Sequence, residues 1–154
     1  MEREKIRVLY VDDEVNNLQA FKATFRRDYR IFLAESANEG RQVLLNEDID
    51  IIITDQRMPE ENGVDFLKSI IPLHPEPMRI LLTGYTDVQA VIDAINKGKV
   101  YHYLTKPWEE DYLRTVVKNA YEVYSLRKEN KQLTDSLIKA NDQLEFLLRQ
   151  NLLS

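Results

Sequence analysis

The sequence contains no cysteine and only two histidines, His74 and His102, among its 154 residues. Disulfide bonds, thiolate nucleophiles and thiolate metal sites are therefore excluded for this sequence, and imidazole ligands are scarce. Any metal ion would have to be held mainly by oxygen atoms.

The sequence also lacks an excess of positive charge and a long hydrophobic segment. Its 21 basic residues against 26 acidic residues give a net charge of −5, which argues against direct binding to nucleic acid or to an anionic membrane. The first apolar stretch runs straight into Asp12 and Asp13, so it resembles neither a signal peptide nor a membrane span. We expect a soluble cytoplasmic protein.

Glycine and proline are missing from both ends of the chain. All four glycines and all five prolines lie between residues 40 and 107, which leaves the segment after Pro107 free of helix breakers and predicts a helix there. Hydrophobic residues make up 44% of the chain, enough to bury a core. At roughly 150 residues per domain, we expect one domain with at most an appendage.

Before Pro107, short apolar segments alternate with helix-like segments. Strands are predicted at 6–11, 31–34, 49–54, 79–83 and 100–104. Helices are predicted at 15–27, 36–46, 62–71 and 87–97, with Ser36 and Glu39 as a capping box and Gly98 as a helix stop. The run Ile51-Ile52-Ile53 is typical of a strand covered on both faces. This alternation predicts an α/β fold with a doubly wound, five-stranded parallel sheet.

The segment after Glu109 has a different pattern. Its early turns carry the broad apolar stripe of a helix that packs on its own sheet, formed by Leu113, Val116, Val117 and Ala120. Later residues recur at heptad a and d spacing: positions 123, 126, 130, 133, 137, 140, 144 and 147. One long helix is predicted to serve both purposes, and its second half needs a partner.

Polar side chains gather where the predicted strands end. Asp12 and Asp13 follow the first strand, Asp55 the third, Thr83 ends the fourth and Lys106 follows the fifth. The carboxyl ends of parallel strands share one edge, which is where such sheets bind ligands. Three carboxylates at one edge repel unless a cation neutralises them, and Mg²⁺ is the leading candidate. Lys106 and the Thr83 hydroxyl suit the anionic oxygens of a transferred phosphoryl group.

These motifs together give the sequence its resemblance to the receiver domain of two-component response regulators, the CheY-like family, over about residues 5–122. The resemblance is carried by Asp12-Asp13, the run from Asp55 through Met58-Pro59 to Gly63, Thr83-Gly84, Tyr103 and Lys106-Pro107, all in family order. It implies a flavodoxin-like sheet in the order 2-1-3-4-5. The residues around Asp55 and Trp108 further resemble those of receivers fused to HD-GYP phosphodiesterases or to sigma-54-dependent activators.

The resemblance also implies residue roles. Asp55 would accept a phosphoryl group from the phosphohistidine of a sensor histidine kinase. Mg²⁺ would be held by Asp13 and Asp55, by Asp12 mainly through water, and by the main-chain carbonyl of Arg57. Lys106 would pair with the phosphoryl group.

The family pattern implies a switch as well. Thr83 would move towards the phosphoryl group and let Tyr103 turn inward. Lys106-Pro107 would be a cis peptide, and Arg57 and Tyr85 would flank the path of hydrolytic water. As a hydrophobic residue near a helix start, Trp108 is predicted to serve packing rather than recognition, and both histidines are predicted to lie on the surface.

For the helical tail we expect a parallel homodimer through residues 123–150, because Asn130 at an a position favours in-register pairs and Glu122 at g can meet Arg127 at e of a partner. The domains are accordingly assigned as 1–122, the receiver, and 123–154, the coiled coil. The output partner is left open.

Two other functions compete with the phosphorylation switch. A structural dimerisation module that no longer signals would show no phosphorylation at Asp55. A Mg²⁺-dependent phosphatase of the haloacid dehalogenase type would need its nucleophile and acid at Asp12 and Glu14 and an acidic pair after the lysine, where this chain has Pro107-Trp108.

Overall fold

The computed structural model describes residues 4–84 and 88–153, and in this range five strands alternate with five helices. The strands are β1 (Ile6–Val11), β2 (Tyr29–Ala34), β3 (Ile51–Asp55), β4 (Met78–Thr83) and β5 (His102–Thr105). The helices are α1 (Val15–Phe25), α2 (Ala37–Asn46), α3 (Gly63–Ile70), α4 (Val88–Asn96) and α5 (Glu110–Leu153).

All five strands form one parallel sheet in the order β2-β1-β3-β4-β5. In the register, Val8 of β1 lies between Ile31 of β2 and Ile51 of β3. The predicted fold class and strand order are therefore confirmed. Because the chain winds outward in both directions from β1, a crevice opens at the carboxyl ends of β1 and β3.

The sheet is covered on both faces, as the apolar run in β3 predicts. Ile51 and Ile53 belong to the core under α1 and α5, whereas Ile52 belongs to the core under α2, α3 and α4. Successive strand residues point to opposite faces, so β3 is fully buried between two helical layers. This central strand ends in Asp55.

Individual contacts and backbone conformations explain where several elements start and stop. β3 begins two residues later than predicted because the Asp50 carboxylate folds back to accept from the Arg7 backbone N–H at 2.9 Å and to pair with its guanidinium. At the start of α2, Ser36 Oγ accepts from the Glu39 N–H at 3.1 Å, which confirms the predicted cap. Gly98 has a φ of +72°, the left-handed conformation expected of a helix stop.

Helix α5 is one continuous helix of 44 residues, about 66 Å long at about 1.5 Å per residue. Its first turns are buried against the sheet, and Val123 and Tyr124 still pack against that core. From Leu126 to Leu152 its large apolar side chains are exposed. None of the helices in residues 4–84 and 88–153 is long and apolar enough to span a membrane.

Candidate functional site

The polar residues singled out from the sequence lie at one edge of the sheet. Asp12 follows β1, Asp55 is the last residue of β3, Thr83 is the last residue of β4, and Lys106 follows β5. Backbone hydrogen bonds extend the sheet at this edge, from Asp12 N–H to the Ala34 carbonyl and from Lys106 N–H to the Thr83 carbonyl, both at 3.1 Å. The parallel topology thus brings together residues that are up to 94 positions apart in the numbering of the chain.

Three carboxylates form a compact cluster at this edge. Asp12, Asp13 and Asp55 each offer one oxygen, and these oxygens lie within 4.8 Å of one another. Asp12 and Asp55 are buried, whereas Asp13 is exposed. The cluster is therefore built into the protein on one side and open to solvent on the other.

Lys106 provides the positive charge beside this cluster. Its Nζ lies 2.8 Å from Asp55 Oδ2 and 3.8 Å from Asp12 Oδ2. The Lys106-Pro107 peptide is cis, as the resemblance implies. The lysine is about one-third exposed, so it can contact both the buried carboxylate and a ligand entering from solvent.

The surroundings of Asp55 and Lys106 shift the pKa values of both side chains. Burial raises the pKa of Asp55 above its ordinary value, although the hydrogen bond and charge of Lys106 and the backbone N–H of Arg57 partly offset this rise. For Lys106, burial acts to lower the pKa, but the hydrogen bond and charge of Asp55 and the charge of Asp12 raise it overall. Lys106 therefore stays protonated, and its positive charge partly compensates for the loss of solvent around the Asp55 carboxyl group.

Asp12 is held by side chains that the sequence analysis missed. Its Oδ2 accepts hydrogen bonds from the Tyr10 hydroxyl and the Asn17 amide, each at 3.1 Å, and its Oδ1 accepts from the Glu14 N–H at 3.0 Å. Burial, followed by the charge of Asp12, raises the pKa of Tyr10, so its hydroxyl remains a donor. Tyr10 lies two residues before Asp12, and the alternation of side chains along a strand was the signal that could have found it.

The loop after Asp55 is fixed by Gln56 and Gly63. The Gln56 carbonyl accepts from the Gly63 N–H at 3.0 Å, and its side-chain oxygen accepts from the Val64 N–H at 2.9 Å. A Cβ on Gly63 would lie 2.4 Å from the Asp55 carbonyl oxygen. Glycine is therefore required for the start of α3 to approach the end of β3 this closely.

The two residues of the expected switch lie on neighbouring strands. Thr83 is buried, and its hydroxyl donates to the Gly84 carbonyl at 2.9 Å. Tyr103 on β5 pairs with Leu81 on β4, and its side chain is 41% exposed. The structure thus holds Tyr103 in an outward position, while Tyr85 lies outside the described residues.

Trp108 is partly buried and packs against the core, which confirms its predicted packing role. Its ring lies 5.2 Å from that of Phe25 and 6.2 Å from that of Phe21, measured between centroids. Both histidines, predicted to lie on the surface, are only partly exposed, and His102 Nε2 lies 3.3 Å from the Tyr112 hydroxyl. Through its contacts with Phe21 and Phe25, Trp108 anchors the segment that follows Lys106.

The donor set of the cluster fits a hard divalent cation. It consists of carboxylate oxygens alone, one of them on an exposed side chain, and such cations prefer oxygen ligands and retain several waters. A cation at this position would also relieve the mutual repulsion of the three carboxylates. The residues present thus fit Mg²⁺.

Comparison with known proteins gives a consistent result. A family model described as "Response regulator receiver domain" matches residues 8–118. The hydrogenase transcriptional regulatory protein HoxA of Bradyrhizobium diazoefficiens is 38% identical over 122 residues, which cover 79% of this chain and 25% of that protein. The response regulator protein PilR of Pseudomonas aeruginosa is 29% identical over 153 residues, covering 97% of this chain and 33% of that protein.

A solved structure agrees with these relatives. The signal receiver domain of an HD domain-containing protein from Pseudomonas fluorescens superimposes with a TM-score of 0.76 at 29% identity, covering 84% of this chain and 96% of the other. The chain spans about a quarter to a third of the length of the curated relatives it matches.

Proposed function

This chain belongs to the response regulator receiver domain family, and from this membership we propose that it accepts a phosphoryl group on Asp55 from a sensor histidine kinase. The observation that carries the proposal is the geometry of Asp55, which is buried at the end of β3 with Lys106 Nζ at 2.8 Å and two further carboxylates beside it. An isolated surface aspartate has no such surroundings.

In the proposed reaction, a carboxylate oxygen of Asp55 attacks the phosphorus of the phosphohistidine. The new oxygen–phosphorus bond forms as the phosphorus–nitrogen bond breaks, and its electron pair stays on the imidazole of the kinase. Lys106 is positioned to transfer its hydrogen bond from Asp55 to an oxygen of the phosphoryl group. The raised pKa of Lys106 keeps this donor charged at neutral pH.

Asp12, Asp13 and Asp55, with the main-chain carbonyl of Arg57, are the proposed ligands of Mg²⁺. When bound, Mg²⁺ supplies positive charge that neutralises the oxygens of the transferring phosphoryl group. Tyr10 and Asn17 support this arrangement because they fix the orientation of the Asp12 carboxylate.

The proposed response to phosphorylation passes from Thr83 to Tyr103. The Thr83 hydroxyl would exchange its bond with the Gly84 carbonyl for one with a phosphoryl oxygen, and Tyr103 would turn from its exposed position into the space that this movement vacates. A charge placed at the sheet edge would thereby select between two surfaces around α4, β5 and α5.

The remaining parts of the proposal concern assembly. We place the receiver at residues 1–122 and a coiled-coil extension at 123–154, with a parallel homodimer through residues 123–150 that transmits the switch to an output. Val123 packs on its own core, so the surface offered to a partner begins at Leu126. A cytoplasmic location completes the proposal.

Intact mass after incubation with Mg²⁺ and acetyl phosphate tests the proposed acceptor. We expect one phosphoryl adduct on the unaltered chain, none on Asp55→Asn, none without Mg²⁺, and an unchanged adduct on Asp65→Asn, which removes an exposed aspartate on α3. A folded, Mg²⁺-binding protein that takes no adduct would instead favour the structural dimerisation module.

A further inference from the structure

The exposed part of α5 carries an internal repeat of 11 residues. Residues 126–133 read LRKENKQL and residues 137–144 read LIKANDQL, which are identical at five of eight positions. Leu148 and Leu152 continue the same spacing, 11 residues after Leu137 and Asn141. Internal repeats at a fixed period are the signature of a structural unit that is used repeatedly.

A period of 11 residues places equivalent side chains on one line of a helix. One repeat spans three turns at about 3.67 residues per turn. Each repeat contributes three positions to one face of the helix, so three lines of side chains run side by side along α5. They consist of Leu126, Leu137 and Leu148, of Asn130, Asn141 and Leu152, and of Leu133 and Leu144. We name these eight residues the repeat seam.

The repeat seam and the heptad pattern agree up to Leu137, and after that residue they share only Leu144. A continued heptad would use Ala140, Leu147 and Asn151 after that point. The repeat seam uses Asn141, Leu148 and Leu152 instead. The last two contact residues are thus Leu147 and the polar Asn151 in the heptad continuation, but Leu148 and Leu152 in the repeat.

The structure leaves this seam open for a partner along its whole length. Leu126 is 64% exposed, Leu148 54% and Leu152 86%. Val123, by contrast, packs on its own domain. The exposed stripe therefore begins at Leu126, which is also the first residue of the repeat.

We propose that a second copy of this chain packs, parallel and in register, along the repeat seam and departs from the heptad after Leu137. This inference rests on the homodimer of the proposed function and specifies which residues form its contact. An 11-residue repeat favours a right-handed or nearly straight pair of helices, whereas a heptad favours left-handed winding.

Two features identify the occupant as a second copy. In a parallel, in-register pair Asn130 meets Asn130 and Asn141 meets Asn141, so each amide finds an amide, whereas an unlike apolar helix would leave both without a hydrogen-bonding partner. Between residues 126 and 152 each chain carries five basic and four acidic side chains. Two copies are therefore nearly neutral and have little net repulsion.

The absence of cysteine makes single-cysteine cross-linking a direct test. Two pairs of neighbouring positions discriminate between the alternatives: Asn141→Cys against Ala140→Cys, and Leu148→Cys against Leu147→Cys. We expect disulfide-linked dimers of the 141 and 148 variants to form at least about tenfold faster, because only these positions bring two cysteines within bonding distance. Faster linkage at 140 and 147, equal rates within the pairs, or no linkage at any of the four positions would overturn the repeat seam.

A control at Leu133 separates this inference from the dimer on which it rests. Leu133 faces the partner in both patterns, so Leu133→Cys cross-links if any parallel, in-register dimer forms. Failure of this control would overturn the parallel dimer and the repeat seam together. Cross-linking at 133 combined with the heptad preference at 140 and 147 would retain the dimer and overturn the repeat seam alone.

Discussion

Two regions of the molecule contain similar apolar residues but differ in what can stabilise them. They are the receiver domain up to residue 122, called the body below, and the exposed part of α5 from Leu126 onward, called the tail. In the body, Ile52 and Phe66 are completely buried within their own chain. In the tail, Leu133 and Leu144 are 57% and 56% exposed. The body can therefore be stabilised by burial of its own apolar side chains, whereas a tail helix with an exposed stripe needs another molecule to bury it.

Helix α5 shows this difference within one element. Leu113 and Val117 are fully buried against the sheet, where the apolar stripe is broad. After Leu126 the stripe narrows to a seam. The width of an apolar stripe thus distinguishes a helix face that packs on its own domain from one that meets a second helix.

The largest expected effect separates the two regions by stability. We expect Phe66→Ala to lower the free energy of unfolding of the body by about 3–5 kcal/mol, because a fully buried aromatic leaves a cavity. Leu144→Ala should leave the unfolding of the body unchanged and weaken the dimer. Urea titration followed by the fluorescence of Trp108, the one tryptophan in the sequence, measures the body, and sedimentation measures the dimer.

Equal losses in the free energy of unfolding of the body for Phe66→Ala and Leu144→Ala would contradict the separation of body and tail. In that case the tail would form one cooperative unit with the receiver. Trp108 reports the body because its ring packs on Phe21 and Phe25, far in sequence from the exposed seam.

A smaller effect is expected from Gly63, the first residue of α3. Gly63→Ala places a Cβ 2.4 Å from the Asp55 carbonyl oxygen and 2.8 Å from Leu81 Cδ1, so we expect a loss of about 1–3 kcal/mol from overpacking. Gly84→Ala is the matched control, since a Cβ there meets no atom of the described residues within 4 Å. Thermal unfolding of both variants measures the difference, and equal melting temperatures would contradict the close approach.

The smallest effect tests the carboxylate cluster as a ligand site of the body. At tenfold its dissociation constant, Mg²⁺ should stabilise the folded body by about 1.4 kcal/mol through binding to the native state alone. Asp13→Asn should abolish this gain, whereas Asp142→Asn in the tail should retain it. Unfolding curves with and without Mg²⁺ provide the measurement, and a gain that survives Asp13→Asn would contradict the proposed ligand set.

Much of the fold followed from local pattern. The strand positions, the Ser36 cap and the Gly98 stop depend on neighbouring residues, so they were predicted within a few positions. The start of β3 was predicted two residues early because the Asp50–Arg7 contact joins residues 43 positions apart. The same limit hid Tyr10, Asn17 and Gln56, whose roles depend on what the fold brings beside Asp12 and Asp55.

The order of motifs in the sequence determined which residues gather at the carboxyl edge, because parallel strands of alternating α/β units end on the same side. Only the tertiary structure decided the contacts among them: the 2.8 Å pair of Lys106 and Asp55, the donors around Asp12 and the outward Tyr103. Those contacts depend on the register between distant strands, and no local pattern records that register. The tail differs in this respect, because its 11-residue repeat can be seen in the sequence alone, whereas the folded chain adds no contacts that bury the leucines of the repeat.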